Sequence, residues 1–164
     1  MSQDQTAIDL DSSLGYLVKE VSSALRSAME EVLRPLGMNI THYSCLELLA
    51  QRPGLSNSEL ARGTFVTRQS MNVLLHALER DGEVTRAELP VGGKALPTEL
   101  TARGRERLAA ATAAVRSVEV RMLSRLDDAA QVATFRALKQ MARSLRDTAG
   151  GSASPASPDG HRVP

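Results

Sequence analysis

Residues 56–82, SNSELARGTFVTRQSMNVLLHALERDG, leave this chain few ways to fold. Ser56 followed three residues later by Glu59 has the form of a capping box, in which hydroxyl and carboxylate each satisfy an unpaired backbone N–H, so a helix starts there. Gly63 ends it after a short run. Thr67 then caps a longer helix with Met71, Leu74, Leu75 and Leu78 on one face and donor-rich side chains on the other, and Gly82 closes it in a left-handed C-terminal position. The pattern is a helix-turn-helix.

The period changes immediately afterwards. In EVTRAELPVGGKALPTELT, residues 83–101, apolar positions lie on either side of Gly92-Gly93, which predicts a β-hairpin with Lys94 near its tip. Pro97 has no N–H to donate, so the returning strand should lie at an edge or be irregular there.

Long helices flank this centre. Leu14, Leu17, Val18, Val21, Leu25, Met29, Val32 and Leu33 recur at three- and four-residue spacing and predict an amphipathic helix ending near Pro35 and Gly37. Asn39 caps a second helix that carries Leu46 and Leu49 and stops at Arg52-Pro53-Gly54. Thr101 caps a helix with Leu108, Ala111, Val115, Val118, Met122 and Leu126. Asp127 or Asp128 restarts a last one with Val132, Phe135, Leu138, Met141 and Leu145. Residues 1–10 read as a loose arm, and residues 149–164 as a disordered tail too polar to bury. The expected fold is mainly α with a small β-hairpin wing: a winged helix-turn-helix over about 39–101, with dimerisation helices over about 11–36 and 102–148. The apolar stripes of those outer helices are covered most simply by a second copy of the chain.

Composition narrows the chemistry. Aromatic residues are 2% of the chain, so Leu, Val, Ala and Met must build the core. The formal net charge is +1, so any case for nucleic acid rests on local distribution; residues 52–107 are modestly basic, whereas residues 1–51 are acidic. One cysteine, Cys45, excludes an intrachain disulfide and a cysteine-rich zinc site. The three histidines show no metal-ligand spacing, and no nucleophile–base arrangement or phosphate-cradling glycine loop stands out, so neither an enzyme nor a cofactor is expected. With no membrane span or secretory signal in the sequence, a cytoplasmic protein is expected.

The outward face of the helix after Thr67 carries Arg68, Gln69, Ser70, Asn72 and His76. Such side chains suit base edges, since Arg pairs with guanine and Gln or Asn with adenine, and the helix start favours a phosphate. An ordinary solvated face is the plainer reading, which the adjoining hairpin makes less economical. Cys45 shares the apolar side of its helix with Leu46 and Leu49, so a core role competes with a thiol-based sensor. His42 and Tyr43 lie in the first turn of that helix and serve either packing or a small-molecule contact.

Residues 11–148 resemble the MarR family of bacterial winged-helix regulators. The stretches LSNSELA, VTRQSMN, LERDG and LTARGRERL carry the likeness. The resemblance implies a homodimeric, sequence-specific regulator of double-stranded DNA, mostly repressing, that reads a pseudo-palindromic operator and releases it when a phenolic or similar aromatic effector enters a cleft. It places Thr67, Arg68, Gln69, Ser70 and Asn72 in the recognition helix. Ser56 and Ser58 fall at the phosphate-facing start of the preceding helix, and Lys94 at the wing cation. Two departures stand out. Family wings usually carry an Asp two residues before an Arg, where this chain has Gly92 and Lys94, and Glu83 stands where an apolar residue is common. The weakened wing leaves a second reading, a winged-helix dimer acting as a protein-interaction module.

Overall fold

The structure is a computed structural model that describes residues 9–87 and 97–149. Its elements, in order, are α1 (Leu14–Leu33), α2 (Ile40–Gln51), α3 (Asn57–Gly63), α4 (Arg68–Arg80), β1 (Val84–Arg86), β2 (Thr98–Leu100), α5 (Ala102–Leu123) and α6 (Asp128–Ala149), with 3-10 turns at Leu10–Ser12 and Arg34–Leu36. This is the expected class, mainly helical with a two-stranded antiparallel hairpin. The hairpin tip, residues 88–96, lies outside the described residues, and so do residues 1–8 of the expected arm and 150–164 of the expected tail.

Side-chain caps start the helices where the sequence places them. Asn39 Oδ1 accepts from His42 N at 2.9 Å, and Thr67 Oγ1 from Ser70 N at 3.0 Å. Thr101 Oγ1 accepts from Gly104 N at 3.0 Å, and Asp127 Oδ1 from Ala130 N at 2.8 Å. The capping box at Ser56 and Glu59 is complete. Three helical segments end in the same way, with a left-handed residue followed by a bond reaching back five residues: Met38 N to Leu33 O, Val66 N to Ala61 O, and Glu83 N to Leu78 O. The left-handed positions are Gly37, Phe65 and Gly82. Phe65 is the exception in kind, a β-carbon-bearing residue at φ 59°.

The chain divides into two compact units, residues 1–122 and 123–164. In the first, Leu33, Cys45, Leu46, Leu49, Leu60, Met71, Leu75, Leu78 and Val84 form the core with Leu108 and Ala111. Each fully buried side chain of this kind contributes about 1.5–3 kcal/mol, and α4 packs in this core against α3 and β1. In the hairpin Val84 pairs with Leu100 and Arg86 with Thr98. Thr98 also donates to Leu55 O and accepts from Gly54 N, so the segment before α3 forms a third rung of the ribbon, which the sequence pattern did not foretell. The second unit is the amphipathic helix α6 with its capped entry. Val132, Phe135, Leu138, Met141 and Leu145 are all exposed in the isolated chain.

Candidate nucleic-acid interface and the adjoining cleft

Helix α4 has two unlike sides. Met71, Leu75 and Leu78 are at most 1% exposed and lock the helix to the core. Thr67, Arg68, Gln69, Ser70 and His76 are exposed and Asn72 is half-buried, so the predicted recognition set shares the outer side of the helix and its start. Two hydroxyls at that start are already engaged with each other: Thr67 Oγ1 donates to Ser70 Oγ at 2.9 Å while accepting the Ser70 amide. Asn57 Nδ2 donates to Arg68 O at 3.2 Å, tying the first turn of α4 to the first turn of α3.

Of the two serines at the start of α3, Ser56 is committed to the cap. Its hydroxyl donates to Glu59 Oε2 at 2.8 Å and accepts from Glu59 N. Ser58 is half-buried in the first turn of α3. Lys94 lies outside the described residues.

His42 and Tyr43 diverge. His42 is buried, and its Nε2 meets Glu83 Oε2 at 2.7 Å. The other carboxylate oxygen accepts from Arg107 Nε at 3.2 Å. A carboxylate offers only acceptors, so Nε2 carries the proton in this pair. Glu83 therefore sits between α2 and α5 at the root of the hairpin, not as a charge exposed on the wing. Its carbonyl is held as well, accepting from both Thr101 N and Thr101 Oγ1. A Cβ at Gly104 would collide with that same carbonyl, which is why the first turn of α5 needs glycine there. The triad His42–Glu83–Arg107 is the feature of the site that sequence reasoning missed. Its signal was a charged residue at a position where an apolar one is common.

Tyr43 lies beside Glu47 and Thr112. Burial pushes its hydroxyl pKa up; the hydrogen bond to Thr112 pulls against that, and the Glu47 and Glu119 carboxylates add to it. Glu47 and Thr112 help to line an open cleft of about 630 Å³ whose floor is Leu108, Ala109 and Ala113 and whose cationic members are Arg105 and Arg116. Cys45 is completely buried, and burial pushes its thiol up to about 12. A thiol so placed is not a thiolate at neutral pH, which favours its core role over a sensor.

Among the described residues no cluster of His, Cys, Asp and Glu could hold a metal ion, and no helix is long and apolar enough to cross a membrane. Residues 36–95, which begin at the end of the 3-10 turn after α1 and extend past β1, match the profile of the MarR family. The HTH-type transcriptional repressor Rv2887 of Mycobacterium tuberculosis is 45% identical over 116 residues, 71% of this chain and 84% of that protein. The chain belongs to the MarR family. It is therefore a DNA-binding transcriptional regulator and not an enzyme. Solved structures agree with the MarR assignment. That of the Mycobacterium tuberculosis protein in complex with DNA superposes with a TM-score of 0.68 at 40% identity, covering 80% of this chain and 98% of that one. The same protein in complex with salicylic acid gives a TM-score of 0.66 at 42% identity, covering 80% and 97%. The helix-turn-helix of this MarR chain is α3–α4, and its wing is the β1–β2 hairpin.

Proposed function

We propose that the protein is a homodimeric, effector-responsive repressor that reads a pseudo-palindromic operator. The observation that carries this reading is the division of α4: a core-locked inner stripe aims Arg68, Gln69 and Asn72 outward at the start of a helix whose relatives work on DNA. In this reading Arg68 pairs with guanine, Gln69 and Asn72 with adenine, and Thr67, Ser70 and Ser58 contact phosphates or bases. Because the Ser56 hydroxyl is spent on its cap, that residue serves by fixing α3. Lys94 is assigned the role of the wing cation by its place in the family pattern.

The dimer is supported by apolar side chains that the single chain leaves open: Leu14, Leu17, Val18 and Val21 on α1, and the α6 stripe from Val132 to Leu145. These faces correspond to the dimerisation helices over about 11–36 and 102–148, and two-fold pairing puts the half-sites about one helical turn apart. The cleft beside Tyr43 supports an aromatic effector. It joins an apolar floor to two guanidinium groups, which suits a small aromatic acid of the kind crystallised with the mycobacterial relative.

The test begins with selection of bound duplexes from a random pool, followed by fluorescence anisotropy over a salt series. A palindromic motif should emerge, with affinity falling steeply as salt rises because phosphate contacts release counterions. Arg68→Ala should weaken specific binding by about 1–3 kcal/mol and relax one base preference. Binding indifferent to both salt and Arg68 would overturn the proposal.

A further inference from the structure

One exposed residue in the middle of the recognition helix does not fit a polar face. Val73 is 66% exposed, four residues after Gln69 and three before His76, both of which are also exposed. It stands two residues from each of the buried anchors Met71 and Leu75, so at 3.6 residues per turn it points about 200° from both, directly away from the core. Nothing in the fold asks for valine there. A β-branched side chain on an exposed helical position lowers helix propensity and, in the free protein, keeps most of its apolar surface in water.

The face around it is a reader of hydrogen-bond donors and acceptors, and the B-DNA major groove presents only one apolar group to such a face, the C5-methyl of thymine. Val73 is the sixth residue of α4, so it lies about 7.5 Å along the helix axis from Arg68, within the first two turns that reach base edges. We propose that Val73 determines specificity by packing its methyl groups against a thymine methyl in each half-site, beside the base read by Gln69. This inference rests on the DNA-reading role of α4 proposed above.

Replacing each thymine of the selected operator in turn by deoxyuridine removes only the methyl group, and it can be done against the full-length wild type, Val73→Ala and Arg68→Ala. At one thymine of the half-site the wild type should lose about fourfold in affinity for each methyl-sized contact returned to water. Val73→Ala, which alters both half-sites of the dimer at once, should bind the thymine operator more weakly by about the square of that factor and be indifferent to deoxyuridine at that position, whereas Arg68→Ala should keep the wild type's sensitivity. An operator bound through Arg68 but with no thymine whose methyl matters, or a methyl effect that survives intact in Val73→Ala, overturns this inference alone. Failure to enrich any duplex overturns it together with the DNA-reading role.

Discussion

Replacing Glu83 with alanine should destabilise the protein far more than replacing the arginine bound to it. Glu83 has a side chain only 4% exposed, and its two oxygens serve two unequal partners. The His42 imidazole is 11% exposed and sits 2.7 Å away, so its proton has little access to water when the carboxylate is removed. A buried charge-assisted hydrogen bond lost in that way costs about 1.5–3 kcal/mol. Arg107 is 34% exposed at 3.2 Å and can swing into solvent, which limits its share to about 1 kcal/mol or less. Glu83→Ala should therefore cost about 3 kcal/mol and Arg107→Ala no more than about 1 kcal/mol. Urea unfolding followed by circular dichroism measures both, with protein concentration held fixed because dimerisation would couple into the midpoint. In a double-mutant cycle, the His42–Glu83 coupling should be about 2 kcal/mol and exceed the Glu83–Arg107 coupling. If Glu83→Ala costs less than about 1 kcal/mol, or no more than Arg107→Ala, the triad is not the anchor of the wing root inferred from its burial.

Two further outcomes follow from the backbone and the core. Phe65→Gly should raise stability by roughly 0.5–1 kcal/mol, since the left-handed penalty of a β-carbon exceeds glycine's entropic one, and Phe65, 91% exposed, loses almost no burial; a lower thermal midpoint would refute this. Cys45 should resist iodoacetamide in the folded protein at pH 8 and react at once in urea. Its thiol is raised from 9.0 to about 12, so this group's contribution to stability is fully present below about pH 9 and is lost as pH rises toward 12, where the unfolded chain ionises first. Alkylation of the native protein at the rate of a free thiol would show that the core opens around it.

The parts of the fold that were legible in the sequence are those whose cause is local. Asn39, Ser56, Thr67 and Thr101 each cap the helix that their spacing predicts, and Gly37 and Gly82 close helical segments in the left-handed conformation that glycine permits. The stripe Met71, Leu75, Leu78 separates inside from outside on α4 because its period is that of the helix. What was not legible depends on partners far along the chain. Nothing near Leu55 announces its pairing with Thr98, 43 residues on, because a single bridge leaves no periodic trace. Val73 was absent from the outward set for a different reason. That set was chosen for hydrogen-bonding side chains, although the angle of Val73 from Met71 and Leu75 already turns it outward.

Glu83 shows how such a long-range arrangement could be found from sequence. A carboxylate at an otherwise apolar position is either exposed, which bends the wing root away from the core, or buried, which requires compensating donors because an unpaired buried charge is intolerable. Burial is the branch taken here, as Thr101, which caps α5, donates to the carbonyls of Gly82 and Glu83 and holds the strand start to that helix. The donors then have to come from positions that would otherwise hold apolar side chains. His42 is such a position, since it falls in the same stripe of α2 as Cys45, Leu46 and Leu49, all buried. The second donor, Arg107, comes from the edge of the buried stripe of α5, beside Leu108, and donates to the other Glu83 oxygen. Glu83 and His42 are thus mutually necessary, each anomalous alone and made tolerable by the other, while the half-exposed Arg107 adds a smaller share. A charged residue on an apolar stripe in one helix is accordingly a reason to look for its complement on another, before assigning it to a ligand.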